Sequence, residues 1–255
     1  MEVLTAMYTD IGIKKSTNQD AMCIKVAETS VGKVVMAVIC DGMGGLSKGE
    51  VASASVINAF SSWFNNELPR ELGKEDYSNI QSHWERIIRD QNQRISSYGK
   101  KVNIKLGTTL TVLLLIDKSF MLIGHVGDSR VYRINESLTI LTDDQTVVGR
   151  EIKRGALTPE QAEKDPRRNV LLQCIGASKL VEPDFIEGKP VPGEVYMLCS
   201  DGFRHMITGQ EIYKSFSPTM INEEADMKEK AKELVELNKR RQETDNISVA
   251  LIKMT

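Results

Sequence analysis

The run Val34-Val35-Met36-Ala37-Val38-Ile39-Cys40, followed at once by Asp41-Gly42-Met43-Gly44-Gly45, decides the fold. Seven consecutive apolar residues, rich in β-branched types, are strand length rather than helix length, and the run reads as a buried strand. Leu110–Ile116 and Phe120–Val126 repeat the pattern on either side of Asp117-Lys118-Ser119, which is hairpin spacing. Residues 131–134 and 138–141 extend this into an antiparallel meander, and Val195–Cys199 and 247–252 add strands far away in sequence.

Helices are predicted between these runs. Residues 49–68 carry Val51, Ala54, Ser55, Ile57, Ala59, Phe60 and Phe64 at helical spacing, and 80–98 carry Trp84, Ile87, Ile88 and Ile95. Near the C-terminus, Asn222 is a suitable N-cap with Glu223 and Glu224 in the first turn. Lys239, Arg240 and Arg241 lie at the other end, matching the helix dipole. This order suits an α+β fold of antiparallel sheets with helices packed outside better than a wound βαβ sheet. Residues 147–193 differ in composition, with five of the seven prolines and the basic residues Arg150, Lys153, Arg154, Lys164, Arg167 and Arg168. They read as a mobile insertion over a site rather than a second domain.

At 255 residues the chain is long enough for a substantial core, and 41% hydrophobic with 27% charged residues excludes disordered and fibrous classes. A net charge of -2 supplies no basic field for a nucleic-acid backbone, so no nucleic-acid partner is expected. No stretch approaches the roughly 20 apolar residues of a bilayer span, and the first residues lack a secretory pattern, so a cytoplasmic protein with no membrane partner is expected. Cys23, Cys40, Cys174 and Cys199 form no Cys-x-x-Cys pair and read as reduced thiols, buried where they lie in apolar runs.

The chemistry is signalled by where aspartates fall. Asp41, Asp128 and Asp201 follow strand runs, and Asp245 precedes one. If those strands share a core, their ends bring the acids to one rim, where they repel unless cations lie between them. Oxygen donors without nearby His or Cys at ligand spacing favour magnesium or manganese over zinc. Asp-Gly occurs twice, at Asp41-Gly42 and Asp201-Gly202, where a missing side chain lets the backbone approach an ion. Competing motifs fail. Ser47 stands where a dinucleotide fingerprint needs Gly or Ala, no Gly-Lys pair is followed by Ser or Thr, and Val131 replaces the second glycine of a nucleophile elbow. His83, His125 and His205 show no triad or zinc spacing and read as structural or exposed.

Asn18-Gln19-Asp20, Asp41-Gly42-Met43-Gly44-Gly45, Gly107-Thr108-Thr109, Gly127-Asp128-Ser129-Arg130, Cys199-Ser200-Asp201-Gly202 and Thr244-Asp245-Asn246 occur in this order. Together they resemble the metal-dependent protein phosphatases of type 2C in their compact bacterial form, across nearly the whole chain. The resemblance implies one catalytic domain, a four-layer α-β-β-α sandwich with a flap at about 147–193. It also implies two manganese or magnesium ions per chain, with a third bound weakly. Asp41 would bridge the two ions, Gly42 would offer its carbonyl, and Asp201 and Asp245 would ligate the other ion. Asp20 would support the site through water, and Asp128 with Asp201 would hold the third ion. The implied activity is hydrolysis of phosphoserine and phosphothreonine by a water bridging the two ions, without a phosphoenzyme. The partners implied are phosphorylated proteins, namely a Ser/Thr kinase and its substrates, met by a monomer.

Some positions depart from the family. Lys15 stands where relatives carry the phosphate-clamping Arg, and a lysine is a point charge without a fork, so weaker phosphate binding is expected. Met43 and Gln145 stand where relatives carry His, which leaves leaving-group protonation to water at the ions. The alternative from another class is a catalytically weak, phosphatase-like module that binds phosphoproteins. A nucleotide phosphodiesterase fits less well, because only 5% of residues are aromatic.

Overall fold

In the computed structural model, which describes residues 2–43, 48–73 and 77–255, the deciding run lies in β3 (Gly32–Cys40). Val34, Met36, Val38 and Cys40 enter one core, and Val35, Ala37 and Ile39 enter another. A strand buried on both faces has no polar face to present, which is why the run is apolar throughout.

Before β3 come β1 (Val3–Asp10) and β2 (Ala21–Thr29). The helices α1 (Gly49–Asn66), α2 (Leu68–Leu72) and α3 (Ser78–Val102) follow β3. The predicted meander is not one sheet: β4 (Leu110–Ile116) pairs with β5 (Phe120–Val126) in one sheet and β6 (Arg130–Ile134) with β7 (Leu138–Ile140) in the other, because the turn at Gly127, whose φ is +114°, carries the chain across between them. Then come α4 (Val147–Lys153), α5 (Pro159–Lys164), β8 (Asp184–Gly188) and β9 (Val195–Cys199). The chain closes with α6 (Asp201–Arg204), α7 (Gly209–Phe216), α8 (Glu224–Arg240) and β10 (Ile247–Met254).

The strands form two antiparallel sheets, β1-β10-β9-β6-β7 and β2-β3-β4-β5-β8. Between them, Val35, Ile39, Leu113 and Ile123 meet Val131, Tyr196, Leu198 and Ile252. Outside the second sheet, α1 and α3 contribute Val56, Phe60, Trp63, Trp84 and Ile88, with Trp84 edge-on to both Phe60 and Trp63. Outside the first, α6, α7 and α8 contribute Phe203, Ile212, Phe216, Ala231 and Leu234. The predicted α-β-β-α layering is the observed one.

Local details differ from the sequence reading for identifiable reasons. The helix predicted over 49–68 breaks at Glu67, because Pro69 cannot continue α1 but is tolerated in the first turn of α2. The N-cap of α8 is Glu223 rather than Asn222, because Glu223 and Asp226 form a reciprocal capping box. The end of the predicted insertion is sheet, since β8 pairs with the edge of β5 from His125↔Asp184 to Met121↔Gly188. The strands β1 and β2 carry no unbroken apolar run and escaped the sequence reading. All four cysteines are free, and among the described residues no helix is long and apolar enough to cross a membrane.

Candidate active site

Strand register gathers the acids. Ala21 lies opposite Cys40, so Asp20 and Asp41 are neighbours at one end of the second sheet, and the pairing of Leu110 with Val126 brings the Asp128 turn to the same end. In the first sheet Cys199 faces both Val249 and Arg130, which sets Asp201, just after β9, and Asp245, just before β10, at the ends of adjoining strands. Acids from five separate stretches of the sequence therefore share one rim.

Their charges act on one another. Burial, followed by the charges of Asp20, Asp201, Asp128 and Asp245, drives the Asp41 carboxyl well above its ordinary range. Burial raises Asp20 to about 7, with Asp201 and Asp245 adding to it. The Ser248 and Ser200 hydroxyls, which favour the charged form without reaching hydrogen-bond geometry, offset part of this. Asp128 also rises to about 7, through burial and Asp201, with Arg204 pulling it back. Both Asp20 oxygens and Oδ1 of Asp201 are buried without a hydrogen-bond partner. Buried oxygens of this kind, massed with like charge, fit a hard divalent cation better than any protein group in reach. Among the described residues no three His, Cys, Asp or Glu side chains converge closely enough to hold an ion alone. Backbone carbonyls and water would complete the coordination, as is usual for magnesium and manganese.

The flanking motif residues build this rim. The Asp41 carbonyl accepts from Thr109 N–H and Thr108 Oγ1, each at 2.9 Å, and Asp41 N–H donates to Thr109 Oγ1 at 2.9 Å. Gly42 is wedged against Gln19 and Gly49, and a Cβ on it would lie 2.6 Å from the Gly49 carbonyl, so only glycine fits. Asn246 accepts from Gln19 N–H at 2.9 Å and donates to the carbonyls of Ile11 and Thr17, holding the loop that carries Lys15. Gly44 and Gly45 lie outside the described residues.

Lys15 reaches the rim but pairs with one of its acids, its Nζ lying 2.8 Å from Asp245 Oδ1. Burial opposes its charge, yet the hydrogen bond and charge of Asp245, with Asp41 and Asp201 behind it, hold the ammonium above its ordinary range. Of the basic residues in the insertion, Arg150 and Arg154 lie against Glu151, Lys153 against Asp143, and Arg167 against Asp165.

Several residues around the rim have contacts that the sequence did not reveal. Asp144 takes a two-pronged contact from Arg130, at 2.8 Å twice, and a third from Arg204, which also donates to the Asp128 carbonyl at 3.1 Å. Gln145 is buried and links the Gly127 backbone to Gln173 and Asp184, so it ties the insertion to the Asp128 turn. His205 is not an isolated histidine: it faces Asp201 on one side and Glu243 on the other. The available signal was its position four residues after Asp201, one helical turn on. His125 is a core histidine bonded to Thr111 and the Asp143 carbonyl, and burial holds it below its ordinary pKa.

The same architecture and sequence recur in known proteins. The family profile of protein phosphatase 2C matches residues 13–238. A 2C-type protein phosphatase of Streptococcus pyogenes is 33% identical over 97% of this chain and 96% of its own length. The protein phosphatase PhpP of Streptococcus pneumoniae is 31% identical over 98% and 96%. The structure of the S. agalactiae serine/threonine phosphatase superposes with a TM-score of 0.84 at 30% identity, covering 100% of both chains. The catalytic domain of the serine/threonine protein phosphatase PstP, solved with 2 manganese ions, superposes at 0.78 with 26% identity over 98% of this chain and 97% of that one. With the acids assembled at one rim of an α-β-β-α sandwich and a profile match over most of its length, the chain belongs to the protein phosphatase 2C family.

Proposed function

We propose that the protein is a metal-dependent serine/threonine protein phosphatase that hydrolyses phosphoserine and phosphothreonine in proteins. Its partners would be a Ser/Thr kinase and that kinase's substrates. The observation that carries this reading is the set of unpartnered, buried carboxylate oxygens on Asp20 and Asp201, at a rim shared with Asp41, Asp128 and Asp245. Relatives named as serine/threonine phosphatases support the substrate class.

In this reading Asp20, Asp41, the Gly42 carbonyl, Asp201 and Asp245 hold two manganese or magnesium ions, and Asp128 with Asp201 holds a third more weakly. Bound divalent cations supply Lewis-acid charge to the phosphoryl oxygens and activate water for direct attack on phosphorus. The chain's own part is to hold the catalytic acids in place: Asp41 through Thr108 and Thr109, Asp245 through the Asn246 N–H, and Asp201 through the backbone bond of His205 to its carbonyl. Lys15 directs a positive charge to the rim for the substrate phosphate. Residues 1–255 form a single catalytic domain, and the insertion covers one side of the rim through its bridges to Thr108 and Thr146.

The test is phosphate release from p-nitrophenyl phosphate and a phosphopeptide, with manganese and with chelator, for wild type, Asp41→Asn and Asp201→Asn, folding being checked by circular dichroism. Manganese-dependent turnover that either substitution lowers at least about a hundredfold is expected, in line with the cost of losing transition-state charge stabilisation. Turnover that survives chelation, or that either variant retains in full, overturns the assignment.

A further inference from the structure

Two loops bring the last two acids to the rim, and behind it they are joined by side chains that the proposed chemistry does not use. Asp201 opens α6 directly after β9, and Asp245 lies just before β10. His205, which ends α6, donates its N–H to the Asp201 carbonyl at 3.1 Å. Its ring lies between two carboxylates, with Nε2 3.6 Å from Asp201 Oδ2 and Nδ1 3.4 Å from Glu243 Oε2. Glu243 is only 4% exposed. Its other oxygen accepts the N–H groups of Thr244 at 2.7 Å and Asp245 at 2.8 Å.

A buried carboxylate is costly unless partnered; Oε2 of Glu243 has no hydrogen bond, so the His205 ring at 3.4 Å is the charge that faces it, while Oε1 fixes the backbone of Thr244 and Asp245. The C-terminal end of α8 locks both loops from behind. The Asn238 carbonyl accepts Glu243 N–H at 3.0 Å, and its amide donates to the Phe203 carbonyl at 2.8 Å. The loops approach so closely that a Cβ on Gly202 would lie 3.3 Å from Asp245 Cβ. Holding Asp201 by Oδ2 leaves Oδ1, the oxygen without a partner, for the rim.

We propose that His205 and Glu243 act as a positioning clamp that sets Asp201 against Asp245 and thereby raises the divalent-cation affinity of the rim. The proposal rests on the metal-dependent reading above. Partners behind a ligating carboxylate are worth about 10- to 100-fold in metal affinity. Because both residues act through one contact, losing either one loses the clamp.

The experiment is calorimetric titration of Mn2+ into the full chain, freed of metal by chelator and dialysed. It compares wild type, His205→Ala, Glu243→Gln and the double variant, and the melting temperature of each metal-free protein is measured in parallel. Glu243→Gln keeps the volume and an acceptor for the two N–H groups, and it covers the case in which His205→Ala fails to fold. Each single variant should weaken the Mn2+ Kd by roughly tenfold, and the double variant by no more than about the same. The metal-free melting temperature of Glu243→Gln, which removes the buried charge but keeps its acceptor, should stay within about 3 °C of wild type, whereas His205→Ala, which leaves that carboxylate unpartnered, should melt lower. Single variants that bind Mn2+ like wild type overturn the clamp, as do losses that multiply in the double variant, or a loss in Glu243→Gln that tracks a fall in its own metal-free melting temperature. Absence of Mn2+ binding by wild type itself overturns the metal-dependent reading and the clamp with it.

Discussion

The ammonium of Lys15 lies 2.8 Å from Oδ1 of Asp245, so the cation nominated for phosphate recognition is paired with a rim carboxylate. A phosphate arriving at the rim competes with that carboxylate for a single point charge. A charge-assisted hydrogen bond is worth about 1.5–3 kcal/mol, so Lys15→Ala should raise the KM for a phosphopeptide by about tenfold or more. Lys15→Arg should lower it, because a guanidinium offers two parallel donors to phosphate. Steady-state kinetics on one phosphopeptide decides the matter, and an unchanged or higher KM for the arginine variant removes Lys15 from phosphate binding.

The raised acids predict an inverted pH dependence for the metal-free chain. Asp20 and Asp128 reach about 7 when folded, against about 4 in an unfolded chain. A carboxyl raised on folding holds its proton more tightly in the native state. Its stabilisation is therefore full below about pH 4 and is lost as pH rises through about 7. In chelator, the melting temperature should fall between about pH 5.5 and pH 7.5, and Asp20→Asn should flatten that slope. Manganese at the upper pH should restore the lost stability, since a ligand bound to the native state stabilises it. A wild-type melting temperature that holds level across this range in chelator counts against burial and mutual repulsion as the source of the shifts.

What could be read in the sequence follows from burial. The strands β3, β4 and β9 lie between two apolar layers, so their unbroken runs announced them, and Asp41 after β3 and Asp201 after β9 came with them. The strand β2 lies at a sheet edge with Val26 49% exposed, and its mixed pattern gave no signal. For the same reason Asp20 entered only through resemblance: no apolar run precedes it, and its place depends on the long-range pairing of Ala21 with Cys40. The spacing of His205 from Asp201 was legible, but its contact with Glu243 was not, because that contact exists only once α6 and the turn before β10 have docked.

Gln145 makes a different prediction, about the insertion. Its side-chain oxygen accepts from Gly127 N–H and Gln173, both at 2.9 Å, its amide donates to Asp184 Oδ2 at 2.8 Å, and its own carbonyl accepts Leu172 N–H. Gln145→Ala leaves several of these groups unpaired, at about 1–3 kcal/mol for a buried group, and should speed hydrogen exchange over residues 170–175. Gln145→Glu should be worse, because it sets a carboxylate against Asp184. Exchange rates equal to wild type in both variants would show that the insertion is anchored elsewhere.

Asp144 is the counter-charge on which the Asp128 side of the rim depends. It is the shared partner of Arg130 and Arg204, at 2.8 Å and 3.2 Å, with all three side chains less than a quarter exposed. Burial alone would raise its carboxyl, but the Arg130 hydrogen bond and the two guanidinium charges hold it below its ordinary range. Such an acid contributes stability above its unfolded pKa and loses it as pH falls toward the folded value, the reverse of Asp20. Asp144→Ala strands two partly buried cations and should cost about 3–5 kcal/mol in urea unfolding near neutral pH. Asp144→Asn keeps one acceptor and should cost less. Arg204 also holds the Asp128 carbonyl, so freeing it should loosen the Asp128 turn and, in the proposed metal-dependent reading, weaken an ion held there before the others. An alanine variant within about 1 kcal/mol of wild type would mean that water replaces the carboxylate at no cost, and that Arg204 positions Asp128 without help from Asp144.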